Sequence, residues 1–164
     1  ILRTATNYTE AEYIIYTNVD IALMPYFYVT VDSLINNGHD VITICRRTIS
    51  KKYHNIQQIP EMYADFGDDH PGTDCFVIKR ELVRKLQLSN VVIGAQFVAF
   101  ALRVSLNLFA KKIIEIKLAH MTFHIGDDRE WLRHDEYSYY NALELEKIFL
   151  TLNFFFISKN SCNL

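Results

Sequence analysis

Asn18-Val19-Asp20 places two oxygen-bearing side chains two residues apart, just past the apolar run Tyr13 to Thr17. Mg²⁺ and Mn²⁺ take carboxylate, carbonyl and water oxygens, and need only one or two protein carboxylates when substrate phosphates complete the shell. An isolated Asn-x-Asp also occurs as a simple capping turn at a strand end. A second group is His120-x-x-x-His124, followed by Gly126, Asp127, Asp128 and Arg129. In an extended segment the two histidines share a face because their separation is even, whereas a zinc pair on this spacing needs a helix and a third ligand. One histidine is therefore expected to be packed, and His124, adjoining the charged turn, is the candidate metal ligand. The third group is Asp68-Asp69-His70-Pro71-Gly72-Thr73-Asp74, with three carboxylates beside one imidazole. Only Asp74 abuts an apolar strand, so it is the candidate catalytic carboxylate, while Asp68 and Asp69 read as solvated. Neither Cys45 nor Cys75 has a base nearby in sequence, and there is no GxSxG, GxxxxGK[ST] or GxGxxG.

These residues need elements to position them. Tyr13 to Thr17 reads as a strand covered on both faces, with Asp20 beyond its C-terminal end. Pro25 opens a helix over Tyr26 to Asn36 that Gly38 can terminate, and Val41 to Cys45 reads as the next strand. Strand, helix, strand in some thirty residues is the βαβ signature. The expected fold is therefore α/β, a mixed, mainly parallel Rossmann-like sheet flanked by helices, with sites at strand C-termini.

Ser50 to Asp74, rich in Pro, Gly and Asp, reads as a long surface loop. Cys75 to Ile78 is a third strand, Arg80 to Leu86 a short helix, and Ala95 to about Lys112 the longest helix, mostly buried apart from a stripe of Gln96, Arg103 and Asn107. His120 to His124 is a strand, Ile125 to Arg129 a turn, and Tyr137 to Leu150 a last helix. Thr151 to Ile157 reads as an edge strand or a partner surface. Its Phe154-Phe155-Phe156 run offers self-association, leaving 151–164 as a tail outside the main pattern.

Composition bounds the partners. The 164 residues, half of them apolar, suit one globular domain, and at this length roughly 68–70% of the unfolded surface is buried without help from disulfides or metals. Seventeen basic against nineteen acidic residues give no excess positive charge for nucleic-acid phosphates. Three cysteines, an odd number without CxxC spacing, suit buried thiols in a reducing compartment. No run reaches the roughly 20 uninterrupted apolar residues of a membrane span, and a cytoplasmic or peripheral-membrane location is expected. The chain begins at Ile1 with no leader-like segment, and reads as a fragment.

The order of these motifs resembles the second half of a GT-A-type nucleotide-sugar glycosyltransferase. Tyr13 to Asp20 (YIIYTNVD) is similar to that family's strand and Asp-x-Asp motif, with Asn18 in the first acidic position. Gly72 to Leu82 (GTDCFVIKREL) resembles its glycine-led strand and helix start. Gly94-Ala95-Gln96-Phe97 and the helix bearing Arg103 fall where inverting members carry Gly-Glu-Asp. His124 is similar in order to a histidine used as a further metal ligand. The resemblance spans Tyr13 to Trp131.

It implies a GT-A-like domain, or its C-terminal portion, over residues 1–164. The implied reaction is transfer of a sugar from a nucleotide-diphosphate sugar to an acceptor hydroxyl, with Mn²⁺ or Mg²⁺ held by Asn18, Asp20 and His124. Asp74 would act on the acceptor side, and Asp127, Asp128 and Arg129 would reach the diphosphate or sugar. Ala95-Gln96 cannot take the acceptor proton as the family's Glu-Asp does, and the half of the fold that holds the nucleotide base is absent. A truncated or divergent member accounts for both. The alternatives are a noncatalytic, degenerate transferase-fold binding domain and a metal-dependent phosphoesterase using Asp69-His70, His120, His124 and Asp127-Asp128.

Overall fold

The computed structural model describes residues 1–127 and 135–161. In chain order the helices and strands are α1 (Leu2–Asn7), β1 (Tyr13–Thr17), β2 (Ala22–Leu23), α2 (Phe27–Asn36), β3 (Val41–Ile49), α3 (Ile59–Ala64), β4 (Asp68–Lys79), α4 (Arg80–Val83), α5 (Val98–Phe109), β5 (Ile113–Ile116), β6 (Thr122–Ile125) and α6 (Asp135–Ser161). They form two compact units, Ile1–Arg84 with Ala110–Asp128, and Lys85–Phe109 with Arg129–Leu164.

The first unit holds a curled, mixed sheet of order β1-β4-β3-β6-β2, with β5 also paired to β3. The βαβ pattern of β1, α2 and β3 is present, but the two strands are not neighbours. β4 lies between them and pairs antiparallel with both, Tyr13 opposite Lys79 on one side and Val41 opposite Ile78 on the other. β2 is antiparallel to β6, and only β5 and β6 pair parallel with β3. The sheet is thus mostly antiparallel among the described residues, which corrects the mainly parallel expectation. One consequence of that expectation survives: β1 and β3, both antiparallel to β4, run the same way as each other and as β5 and β6. Their C-terminal ends, and the N-terminal half of β4, therefore meet at one end of the sheet.

β1 has the expected bounds but is an edge strand, half-buried along its length rather than covered on both faces. Alternate residues of the central strands, Ile42 and Ile44 on β3 and Cys75 and Val77 on β4, pack with Phe27 and Val31 of α2, as the period-two geometry of strands requires. β3 continues past the expected end at Cys45 through Arg46 and Arg47, both buried.

The expected loop over Ser50 to Asp74 is instead largely structured. Gln58 Oε1 accepts the backbone N–H of His54 at 2.8 Å and of Asn55 at 3.2 Å, closing a capping box around a single 3-10 turn, Ile56–Gln58. Pro60, in the first turn of α3, gives up no hydrogen bond there. The polar start of β4 is then held from β3. Arg47 donates to the Phe66 carbonyl at 2.7 Å and the Gly67 carbonyl at 2.6 Å, pairs with Asp69, and stacks 4.2 Å from the Phe66 ring centroid.

Gly67 at φ +57 makes the turn into β4, and a Cβ there would lie 2.3 Å from the Thr48 carbonyl oxygen. Gly67→Ala is expected to cost at least about 2 kcal/mol, from the left-handed backbone and the backbone clash together. A lowered urea midpoint at unchanged slope checks this, and an unchanged midpoint would mean the turn relaxes freely.

In the second unit, α5 begins three residues later than expected, because Gly94 at φ +86 and Phe97 at φ +72 interrupt any helix from Ala95. Ala101, Ile148 and Leu152 of α5 and α6 form its apolar cluster. Two polar residues one turn apart on α6 hold the irregular segment before α5. Asn141, fully buried, donates to the carbonyls of Val92 (2.9 Å) and Gln96 (2.8 Å) and accepts the Val92 N–H at 2.7 Å. Glu144 accepts from the Ser89 hydroxyl, from the Asn90 N–H at 3.0 Å and from Lys147. Hydrogen bonds from Lys147, then Ser89 and Asn90, outweigh desolvation and bring its carboxyl down to about 2.

α6 runs from Asp135 to Ser161, so the segment Thr151 to Ile157 is helical and not an edge strand. The strand preference of its aromatic residues is a weak signal that the continuing helix overrides. Among the described residues no helix is long and apolar enough to cross a membrane.

Candidate metal and carboxylate site

The turn after β1 carries Asn18 and Asp20, and is closed by the Ile21 N–H donating to the Asn18 carbonyl at 3.3 Å. β6 ends one strand position away from β3, so His124 and the Gly126-Asp127 turn arrive at the same end of the sheet. Asp20 and His124, 104 residues apart in sequence, meet there, with His124 Nε2 3.1 Å from Asp20 Oδ2. The other ring nitrogen, Nδ1, lies 2.5 Å from the Gly126 carbonyl oxygen and therefore carries a proton. That leaves Nε2 and a carboxylate oxygen facing each other as two acceptors, which is stable only with a proton or a metal cation between them.

One imidazole nitrogen and one carboxylate oxygen could serve a divalent cation, and suit Mn²⁺ better than the oxygen-seeking Mg²⁺. Metal-ligating histidines commonly donate their other ring N–H to a carbonyl or carboxylate, the contact His124 makes with the Gly126 carbonyl. The side chain of Asp20 is 58% exposed, leaving room for water or phosphate oxygens. Among the described residues no three His, Cys, Asp or Glu side chains gather closely enough to hold a metal by themselves. Asn18, the third expected ligand, donates its Nδ2 to Asp74 Oδ1 at 3.2 Å, an engagement of the amide nitrogen and not of its own Oδ1, the atom that would face a cation.

Asp74 sits at the centre of a second cluster joined to the first through Asn18. Its Oδ2 accepts from Arg46 Nη1 at 3.1 Å, and its backbone carbonyl accepts from the Thr17 hydroxyl at 3.1 Å. Both carboxylate oxygens thus already accept hydrogen bonds. The side chains of Arg46 and Asp74 are 10% and 13% exposed, and Arg46 Nη2 lies 3.5 Å from Asp127 Oδ1. Asp127 is thus brought into the cluster, whereas Asp128 and Arg129 lie outside the described residues.

His70 approaches Asp74 at 3.7 Å, but Nδ1 accepts the Gly72 N–H at 3.0 Å. Burial, then the Arg46 guanidinium, lower its pKa against the opposing pull of Asp74. The contact is that of a neutral ring and not an ion pair.

His120 is the packed histidine of the pair. Its ring lies 5.5 Å from that of Phe66 and 6.0 Å from that of Phe123, with Nε2 buried and without a hydrogen-bond partner among the described residues. Burial, then Arg47, lower its pKa. Asp69 is turned onto Arg47, and of the side chains a two-metal phosphoesterase would use, no three gather among the described residues. Cys75 is fully buried, which pushes its thiol up to about 12, and Cys45 is likewise buried, as expected of unreactive thiols. Cys162 lies outside the described residues. A hollow of about 350 Å³ bounded by Arg3, Thr6, Asn7 and Arg84 includes none of the expected site residues.

The two neutral rings make stability depend on pH. An unfolded histidine takes up its proton near pH 6.5, whereas His70 and His120 resist it in the fold. Below that pH the unfolded chain binds more protons, so their contribution is complete above about pH 6.5 and is lost as pH falls through the lower folded values. Urea midpoints are expected to fall between pH 7 and 5, and a constant or rising midpoint would contradict the burial of these rings.

Arg46 was the member of this cluster that the sequence hid. An Arg-Arg pair following an apolar strand reads as the strand's end, and only the spacing of apolar residues on both sides, Val41 to Cys45 and then Ile49, marks a strand continuing through it. Compared with protein-family models and with curated proteins, the chain matches none.

Proposed function

We propose that the chain carries the metal-binding half of a glycosyltransferase site, of GT-A-like type, that moves a sugar from a nucleotide-diphosphate sugar to an acceptor hydroxyl. The observation that carries this reading is the 3.1 Å approach of His124 Nε2 to Asp20 Oδ2 beside the C-terminal end of β1. Parallel alignment of β1, β3 and β6 supports it by delivering Asp20, Arg46 and His124 to one end of the sheet.

In this reaction the acceptor oxygen bonds to the anomeric carbon, the bond from that carbon to the diphosphate breaks, and the acceptor proton passes to a base. Mn²⁺ or Mg²⁺, when bound, neutralises charge developing on the diphosphate leaving group. Asp20 and His124 would hold the cation, with Asn18 directly or through water, and the Asn18 amide nitrogen ties the turn that presents Asp20 to Asp74. Asp74 has lone pairs left to orient an acceptor hydroxyl, and the Asp127 carboxylate, beside Arg46, would accept from a sugar hydroxyl. Asp128 and Arg129, which lie outside the described residues, are the sequence's further candidates for the donor side.

The test is a thermal-shift series with nucleoside diphosphates and their sugar conjugates, with Mn²⁺ and then with chelator. A ligand at a hundredfold over its Kd adds about 2.7 kcal/mol, several degrees for a domain this size. A shift that needs both metal and nucleotide is expected. Silence across all nucleotides would overturn the reading.

A further inference from the structure

Two separate turns must be held in register for Asp20 and His124 to meet, and both are tied to one buried guanidinium. On one side Arg46 Nη1 holds Asp74 Oδ2 at 3.1 Å, and Asp74 Oδ1 holds Asn18 Nδ2 at 3.2 Å. Asn18 opens the turn that contains Asp20, with its carbonyl accepting the Ile21 N–H at 3.3 Å. On the other side Arg46 Nη2 lies 3.5 Å from Asp127 Oδ1. Asp127 follows Gly126, whose carbonyl fixes His124 Nδ1 at 2.5 Å and whose N–H donates to Ile49 at 2.9 Å. The fork of a guanidinium can hold two carboxylates in fixed directions, which the point charge of a lysine cannot.

We propose that Arg46 is a positioning residue that sets the Asp20–His124 pair by bracing both of its turns, through Asp74 and Asn18 on one side and Asp127 on the other. It rests on the metal-pair reading above, and its own charge makes it testable apart from that reading. A cation near Asp20 is repelled by the Arg46 guanidinium, so if Arg46 acted only through its field, removing the charge would tighten metal binding. Bracing predicts the opposite sign.

The experiment compares wild-type protein with Arg46→Met and Arg46→Lys. Mn²⁺ affinity is read by electron paramagnetic resonance, and the Nδ1–H resonance of His124 by NMR without metal. Circular dichroism first establishes that each variant is folded. Arg46→Met is expected to bind Mn²⁺ about 10- to 100-fold more weakly, the usual effect of losing an outer partner of a metal ligand. Arg46→Lys, charge kept but fork lost, should fall about tenfold and should shift or broaden the His124 resonance. Unchanged or tighter Mn²⁺ binding by Arg46→Lys or Arg46→Met would overturn the proposal. Should wild-type protein not bind Mn²⁺ at all, the metal reading fails, and the His124 resonance decides the bracing alone: perturbed in Arg46→Lys it stands, unchanged it falls. If Arg46→Met does not fold, Arg46→Lys carries both readouts.

Discussion

Asp20→Ala is expected to weaken Mn²⁺-dependent nucleotide binding by more than about 100-fold, since the loss of outer partners alone costs 10- to 100-fold. The fold should barely change. Asp20 is 58% exposed on a turn, and its described side-chain partner is His124; an exposed pair of this kind contributes at most about 1 kcal/mol. His124→Ala should weaken metal binding comparably. His120→Ala should leave metal binding nearly intact but lower stability, because it empties a buried place between Phe66 and Phe123. Titration of each variant with Mn²⁺ in the presence of a nucleoside diphosphate, beside a urea curve, separates the two effects. Equal binding by Asp20→Ala, or a larger metal effect from His120→Ala than from His124→Ala, would move the site away from this end of the sheet.

Asp74→Ala is expected to have the largest effect on stability, a loss of about 3–5 kcal/mol, as when one partner of a buried ion pair is removed. The guanidinium of Arg46 is 10% exposed, its Nε has no hydrogen-bond partner among the described residues, and after the substitution Asp127 at 3.5 Å would be its nearest described counter-charge. Asn18 would lose its acceptor at the same time. At this chain length the melting temperature should fall by on the order of 10 °C. The double variant Arg46→Met/Asp74→Leu should recover much of the loss, because replacing both members of a buried pair by apolar groups is often neutral. A single Asp74→Ala variant within about 1 kcal/mol of wild type would show that Arg46 is adequately solvated or neutralised without it.

These effects mark where the sequence was readable and where it was not. β1 and α2 follow from apolar runs bounded by Asn18 and Gly38, local signals that the structure reproduces to within a residue. The direction of β1 relative to β3 was also legible, because a helical crossover of that length returns the chain to the same end of the sheet. Which strand lies between them was not. β4 is supplied by residues 68–79, and its first half, Asp68 to Pro71, looks like a turn. Its pairing depends on Arg47 reaching Asp69, Phe66 and Gly67, contacts that no local pattern displays. β5, four residues after the end of α5, was similarly submerged in the apolar run of that helix.

At the site, the residue types and their placement beside apolar runs were enough to select Asp20 and His124, which meet, and Asn18, Asp74 and Asp127, which Arg46 and Asp74 tie into a neighbouring cluster, although Asp74 lies inside β4 and not at its start. Asn18, expected as a ligand directly or through water, also ties its turn to Asp74 through its amide nitrogen, a contact no local pattern displays. Arg46 could not be picked out, since its importance comes from two carboxylates 28 and 81 positions further along the chain. The charged segment that follows Asp127 stays outside the described residues, as do the expected donor contacts of Asp128 and Arg129.

A cation between Asp20 and His124 is the central requirement of the proposed site, and paramagnetic NMR addresses it directly. Uniformly ¹⁵N-labelled wild-type protein would be titrated with substoichiometric Mn²⁺ while the imidazole and amide resonances are followed. The account predicts that His124, Gly126 and the turn from Asn18 to Ile21 broaden first and together, with His120, His54 and His39 unaffected at the same ratio. Broadening centred on another histidine, or none below the concentrations at which exposed carboxylates bind Mn²⁺ unspecifically, would contradict it.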